Sequence, residues 1–200
     1  MLIAVSHSAS LLRVVDANVD DSSIDAIKSV CRACPNLRIL NLMNISDILP
    51  GDEVIQTIAQ YCPQIEKLST EYETMTDAGL DALASIHMLS HLDIYTYRST
   101  SATVQRVLRS NPLLTLLIIY IAGVDDALVR CIGNYCGNLN KLKLYPSSSP
   151  TLLSYSCLLE LFKGCPLLES FALYQRNGVS TAALRAMFEH CPHLTELVLC

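Results

Sequence analysis

Charge is scarce in this chain, and so are glycine and long apolar runs. Charged residues make up 16% of its 200 residues against 51% hydrophobic, and mean hydropathy is +0.35. A disordered chain needs the opposite balance, so this one must bury a core. Basic residues are the scarcer sign: 14 Lys+Arg against 19 Asp+Glu leave a net charge of −5. Phosphate binding draws on clustered Lys and Arg, so neither nucleic acid nor a membrane surface is the expected partner. Seven glycines offer no phosphate-cradling loop, and the five histidines come without an HExxH, GxSxG, P-loop or dinucleotide fingerprint. No enzyme activity and no cofactor are expected. The most apolar stretch, residues 113–124, stops at Asp125 and Asp126 after about a dozen residues, short of the roughly 20 that a spanning helix needs. Residues 1–12 lack the basic start and continuous apolar core of a signal peptide. The expected compartment is cytoplasmic, nuclear or both.

What the chain does contain is a repeated phrase. Cys34-Pro35-Asn36-Leu37-Arg38-Ile39-Leu40-Asn41-Leu42 reads C-P-x-L-x-x-L-x-L, and it returns from Cys62, Cys136 (with Gly137 for the proline), Cys165 and Cys191. Degenerate copies run over residues 86–94 and 111–119, and an earlier one keeps Leu12, Val15 and Ala17. The first apolar position falls at Leu12, Leu37, Ile65, Leu89, Leu114, Leu139, Leu168 and Leu194, with an average spacing of 26. Apolar residues also precede the Cys position by seven and four, as with Ile27 and Val30 before Cys34, or Val129 and Ile132 before Cys136. That spacing is one face of a helix.

Asp21 to Ser23, Asp52, Thr76-Asp77, Asp125-Asp126 and Ser180-Thr181 offer N-cap oxygens, and the proline after the cysteine stops the helix. The L-x-x-L-x-L that follows is a short strand. Leu80 and Leu83 mark a third helix, with one residue deleted before Leu89. One strand and one helix per repeat cannot bury an apolar face alone, so the copies must stack. The predicted fold is α/β: a horseshoe solenoid with a parallel sheet on the concave face and helices on the convex face.

At this point the chain resembles the cysteine-containing leucine-rich repeat family (RNI-like), whose helix motif matches Thr76-Asp77-Ala78-Gly79-Leu80-Asp81-Ala82-Leu83-Ala84. The resemblance implies the substrate-binding half of an F-box protein, which recruits targets to an SCF-type ubiquitin ligase. Adaptor and cullin would then be reached only through an F-box, for which residues 1–200 have no room. The alternative is a repeat scaffold without an F-box that binds signalling or cell-cycle proteins. We expect a single repeat domain over 1–200 with about eight units, truncated at both ends. Leu2, Val5 and Ala9 fit the helix register of a preceding repeat, and the chain stops as the eighth strand completes. Residues 44–51 and 145–154 lengthen two repeats as rim loops.

Nine cysteines cannot all pair internally. Five of them share one repeat position and read as buried small thiols. Cys31-x-x-Cys34 has no second CxxC and lies near a helix C-terminus, where the dipole disfavours a thiolate, so no metal is expected.

Strand alternation sends three residues per repeat away from the core. The third of them reads Tyr95, Tyr120, Tyr145 and Tyr174 in four consecutive repeats, a column of about 15 Å at one strand spacing per step. Tyrosine combines rigid contact area with a hydroxyl, which suits protein recognition. Beside the column, Leu116 and Ile118 place aliphatic groups on the same face, next to Lys141, Lys143, His91 and Asp93. These ten residues form the candidate partner-binding surface. Two other readings stay open: a structural aromatic ladder, or a patch covered by a further repeat or another chain.

Overall fold

A computed structural model describes residues 11–18, 24–43, 50–71, 74–146, 153–174 and 179–200. Within these the chain alternates strand and helix throughout. The elements are β1 (Val14–Asn18), α1 (Ile24–Ala33), β2 (Ile39–Met43), α2 (Gly51–Tyr61), β3 (Lys67–Glu71), α3 (Asp77–Leu83), β4 (His91–Thr96) and α4 (Ser101–Ser110). They continue with β5 (Leu116–Ile121), α5 (Asp126–Tyr135), β6 (Lys141–Pro146), α6 (Tyr155–Gly164), β7 (Ser170–Leu173), α7 (Thr181–His190) and β8 (Glu196–Leu199). All strands lie in one parallel sheet in sequence order. The strand alternation is direct: β4 and β5 bury every second residue.

The core lies between the sheet and the helices. Leu37, Ile65, Leu89, Leu114, Leu139 and Leu168 are each 0% exposed, whereas Leu12 at the sheet edge is 38% exposed. An apolar residue in a solenoid is covered by its neighbouring repeat, so the outermost described copy keeps its face open. The deletion before Leu89 shortens α3 to seven residues, and Ile86 fills the cysteine position with 1% exposure.

Three of the five repeat cysteines are tied to the repeat before them. The thiols of Cys62, Cys165 and Cys191 donate to the carbonyls of Cys34, Cys136 and Cys165 at 3.6, 3.5 and 3.6 Å. Cysteine suits the position because it is small, apolar and still a weak donor. Burial pushes the Cys136 thiol up to about 12 and Cys191 to about 11, so both stay protonated at neutral pH. Asn111 stands where a copy lacks the cysteine. Its Oδ1 accepts from the Leu89 N–H at 3.0 Å and its Nδ2 donates to the Val107 carbonyl at 3.0 Å.

The helix starts differ in part from expectation. Thr76, Asp125 and Ser180 cap their own helices, as does Ser154. Asp52 does not. It lies inside the first turn of α2 and serves the next repeat: Oδ1 accepts from Thr76 N–H at 2.7 Å and Gly79 N–H at 3.0 Å, Oδ2 from the Thr76 hydroxyl at 2.6 Å. Asp77 accepts likewise from Thr100 N–H at 2.7 Å, and Asp126 from Ser154 N–H at 2.9 Å and the Ser154 hydroxyl. The proposed cap at residues 21–23 and the helix register at residues 1–10 lie outside the described residues, as does most of both rim loops.

Asp77 and Asp126 make their repeats pH-sensitive, since both carboxyls are held below their ordinary value. Partial burial opposes ionisation of Asp126, but the Ser154 hydrogen bonds and Arg130 outweigh it and hold the carboxyl below its ordinary value. A depressed folded pKa gives stability that is present above the unfolded value of about 3.9 and is lost as pH falls below it. Asp126→Ala should therefore lower unfolding free energy by about 1 kcal/mol at pH 7, a value reduced for solvent exposure. Urea denaturation at pH 7 and pH 3 checks this, since the difference from wild type should fade at the lower pH.

Candidate functional site

The strand register places all the sequence-predicted site residues on one face. His91, Leu116 and Lys141 pair in one row across β4, β5 and β6, and Asp93, Ile118 and Lys143 in the next. Tyr95, Tyr120 and Tyr145 form the third row, and Tyr174 follows β7 beside Tyr145. These ten residues are all half-buried.

The tyrosine rings stack. Centroids of Tyr95 and Tyr120 are 3.7 Å apart with planes 10° from parallel, those of Tyr120 and Tyr145 3.8 Å and 9°, those of Tyr145 and Tyr174 4.1 Å and 13°. Strands lie about 4.8 Å apart, so the rings are closer than the backbones that carry them. Side chains on the inner side of a curved sheet converge, which brings the rings into contact. Neighbouring hydroxyls also bear on one another's ionisation along the column. Burial is the main reason that Tyr120 is pushed up to about 12 and that Tyr95 and Tyr145 rise too. Both faces of the Tyr120 and Tyr145 rings are covered, so this stack is in part the structural ladder. Ring edges and hydroxyls are what remain for a visitor.

Beside the stack sits a strained electrostatic arrangement. Burial pushes the Asp93 carboxyl up to about 6, with Glu71 adding to the rise while Ser69 and Lys143 oppose it. One oxygen, Oδ1, is buried without a hydrogen-bond partner. Burial, followed by the Lys67 charge, lowers the His91 pKa, and its Nδ1 lies 2.9 Å from the Ser90 hydroxyl. At the far end Ser170 donates to Glu196 Oε2 at 2.5 Å. Ser69 and Glu71 were outside the sequence-derived set; their signal was the same outward register, on the strand next to Asp93. Among the described residues no group of His, Cys, Asp and Glu forms a candidate metal site, and no helix is long and apolar enough to cross a membrane.

Solved structures with the same architecture include TLR13 in its complex with ssRNA13, at TM-score 0.56 and 16% identity over 94% of this chain and 29% of that one. A leucine-rich repeat protein of Leptospira interrogans matches at TM-score 0.55 and 13% identity, covering 94% of this chain and 48% of its own. The fold is a leucine-rich-repeat solenoid. Among curated proteins, Coronatine-insensitive protein homolog 2 of Oryza sativa, in subspecies indica and japonica, is 26% identical over 149 residues, or 72% of this chain. The chain spans 23% of the length of those relatives. No family model matches the chain.

Proposed function

We propose that this solenoid is a protein-interaction module of the cysteine-containing repeat type, and that its concave face holds the partner. One observation carries the reading: Tyr95 to Tyr174, Leu116 and Ile118 form a continuous half-buried strip with charged residues on either side. An apolar centre with a charged rim is the composition of a recognition surface. RNA is the weaker candidate, although one structural neighbour carries it. A base stacks on the face of a ring, and here the two central rings have no free face. The net charge of −5 points the same way.

The finer assignment is substrate recognition within an SCF-type F-box ligase, in cytoplasm or nucleus. The chain itself would do no chemistry; it would hold the target at high effective concentration near the ubiquitin-transfer machinery. The alternative remains a scaffold without an F-box. All nine cysteines are free, which accords with a reducing compartment.

The test places a photo-crosslinking amino acid at position 145 in cells and compares it with position 130 on the convex side. A discrete protein adduct should form from the concave position only, and Leu116→Ala, Tyr120→Ala and Tyr174→Ala combined should abolish it while circular dichroism stays unchanged. Equal adducts from both positions, or an adduct indifferent to those changes, would refute the concave site. Proteasome inhibition should increase the adduct if the chain serves a ligase; no increase favours the scaffold.

A further inference from the structure

The concave strip has a charge order that reaches beyond the general reading above, on which the following rests. On its β3–β4 side the tyrosine row and the row beside it carry acidic groups, Glu71 on β3 opposite Tyr95 and Asp93 on β4, while Lys67 stands in the outer row beside His91. Aliphatic Leu116 and Ile118 occupy β5. Lys141 and Lys143 occupy β6. Asp93, Ile118 and Lys143 stand in one row, so carboxylate and ammonium are separated by two strand spacings, about 10 Å. That is too far for a direct pair, and an apolar side chain lies between them. Each partner is correspondingly unspent. Asp93 Oδ1 is buried with no hydrogen-bond donor. Neither lysine makes a close ion pair among the described residues, although their field reaches Glu196 and that of Lys143 reaches Asp93.

Charge complementarity then specifies the occupant. A bound segment must bring a cation to Asp93 and Glu71, an apolar side chain to Leu116 and Ile118, and an anion to Lys141 and Lys143. We propose that the concave face takes an extended peptide segment of a partner protein whose alternate residues run basic, aliphatic, acidic across strands β4, β5 and β6. Alternate residues of an extended chain face the same way, and two such steps span about 13 Å. The long side chains of Lys143 and of the bound basic residue take up the difference from 10 Å. The tyrosine column forms a wall along one side, where its hydroxyls can meet peptide groups of the segment. Fixing charges of both signs across one strip discriminates by repulsion as well as attraction: a segment with two like charges always meets one matching charge at the wrong end.

Three fluorescein-labelled twelve-residue peptides test this against the full chain. They share a Ser/Ala frame and differ only in carrying Lys-x-Leu-x-Glu, Lys-x-Leu-x-Lys or Glu-x-Leu-x-Glu. Fluorescence anisotropy at low ionic strength should show the mixed-charge peptide binding at least about tenfold tighter than either like-charged one, the size expected for one mismatched charge pair. Lys141→Glu combined with Lys143→Glu should transfer the preference to the doubly basic peptide, with circular dichroism confirming the fold. Equal binding of all three, no binding of any, or a preference that the double substitution leaves in place each overturns the charge order. The concave-face reading fails separately, if the position-145 adduct is absent or indifferent to its alanine variants. An adduct that needs Leu116 and Tyr120, alongside peptides bound without preference, would retain the surface and reject this occupant.

Discussion

Gly164→Ala is expected to uncouple the last repeats from the rest of the solenoid. A Cβ at Gly164 would lie 1.9 Å from the Gly133 carbonyl oxygen, 2.5 Å from its carbon and 2.8 Å from its Cα. These are backbone atoms of α5 and cannot swing aside as the end of a long side chain could. The reverse change is crowded too, since a Cβ at Gly133 would meet Glu160 O at 2.8 Å and Leu161 Cα at 2.9 Å. The two glycines therefore let α5 and α6 approach backbone to backbone, and any Cβ at Gly164 must push the helices apart. Ordinary overpacking costs about 1–3 kcal/mol, so a backbone clash should cost about 3 kcal/mol or more. That is a large share of a typical stability of about 5–15 kcal/mol.

Because a solenoid is held by nearest-neighbour contacts, the damage should localise at the α5–α6 step. Urea unfolding should show an earlier transition for the repeats from β7 onward, with hydrogen exchange accelerated there first. Gly123→Ala is the control, since nothing lies within 4 Å of its added Cβ. A Gly164→Ala midpoint equal to that of the control would contradict the close approach.

This contact illustrates what a repeat sequence reveals and what it conceals. Strand register was legible because it follows from a period-2 pattern anchored by the first apolar position of each repeat. Tyr95 opposite Tyr120 opposite Tyr145 emerges as the spacing dictates. Gly133 and Gly164 were silent, because a glycine in a helix reads only as weak propensity until the neighbouring helix is in place. Asp52 was legible as a helix-start residue but misplaced as its own cap. Its partners, Thr76 and Gly79, belong to the next repeat, and the order of a local motif says nothing about contacts made 24 to 27 residues away. The ring stacking was open in the sequence as one of two readings. Its closeness was not, since it depends on the curvature of the whole sheet.

Asp93 was likewise legible as an outward residue, but its burial was not, and that burial leads to an unusual expectation: Asp93→Asn should stabilise the fold at neutral pH. Four features set the carboxyl's surroundings. Burial among the inner side chains raises its pKa most, the Ser69 hydrogen bond opposes that, Glu71 raises it further, and Lys143 lowers it, for a value of about 6. His91 shares its strand, and burial, followed by the Lys67 charge, lowers its pKa and so disfavours a compensating charge there. A carboxyl whose folded pKa exceeds its unfolded value binds protons more tightly when folded. Its contribution to stability is fully present below the unfolded value of about 3.9 and is lost as pH rises through about 6.

Above pH 6 the folded chain therefore holds a disfavoured charge. The shift corresponds to about 3 kcal/mol at most, and discounting for the exposed part of the side chain leaves about 1–2 kcal/mol. Asparagine keeps the size and the polar contact with Ser69 while removing the charge. Wild type and Asp93→Asn should differ by that amount in urea denaturation at pH 7 and converge near pH 4. Comparing the two proteins at each pH cancels the titration of every other carboxylate that the substitution leaves undisturbed. A variant less stable than wild type at pH 7 would mean that the carboxylate is already paired within the fold. A stabilised variant that also loses the mixed-charge peptide would mean that the chain keeps a destabilising charge on its concave face because a partner's cation completes it.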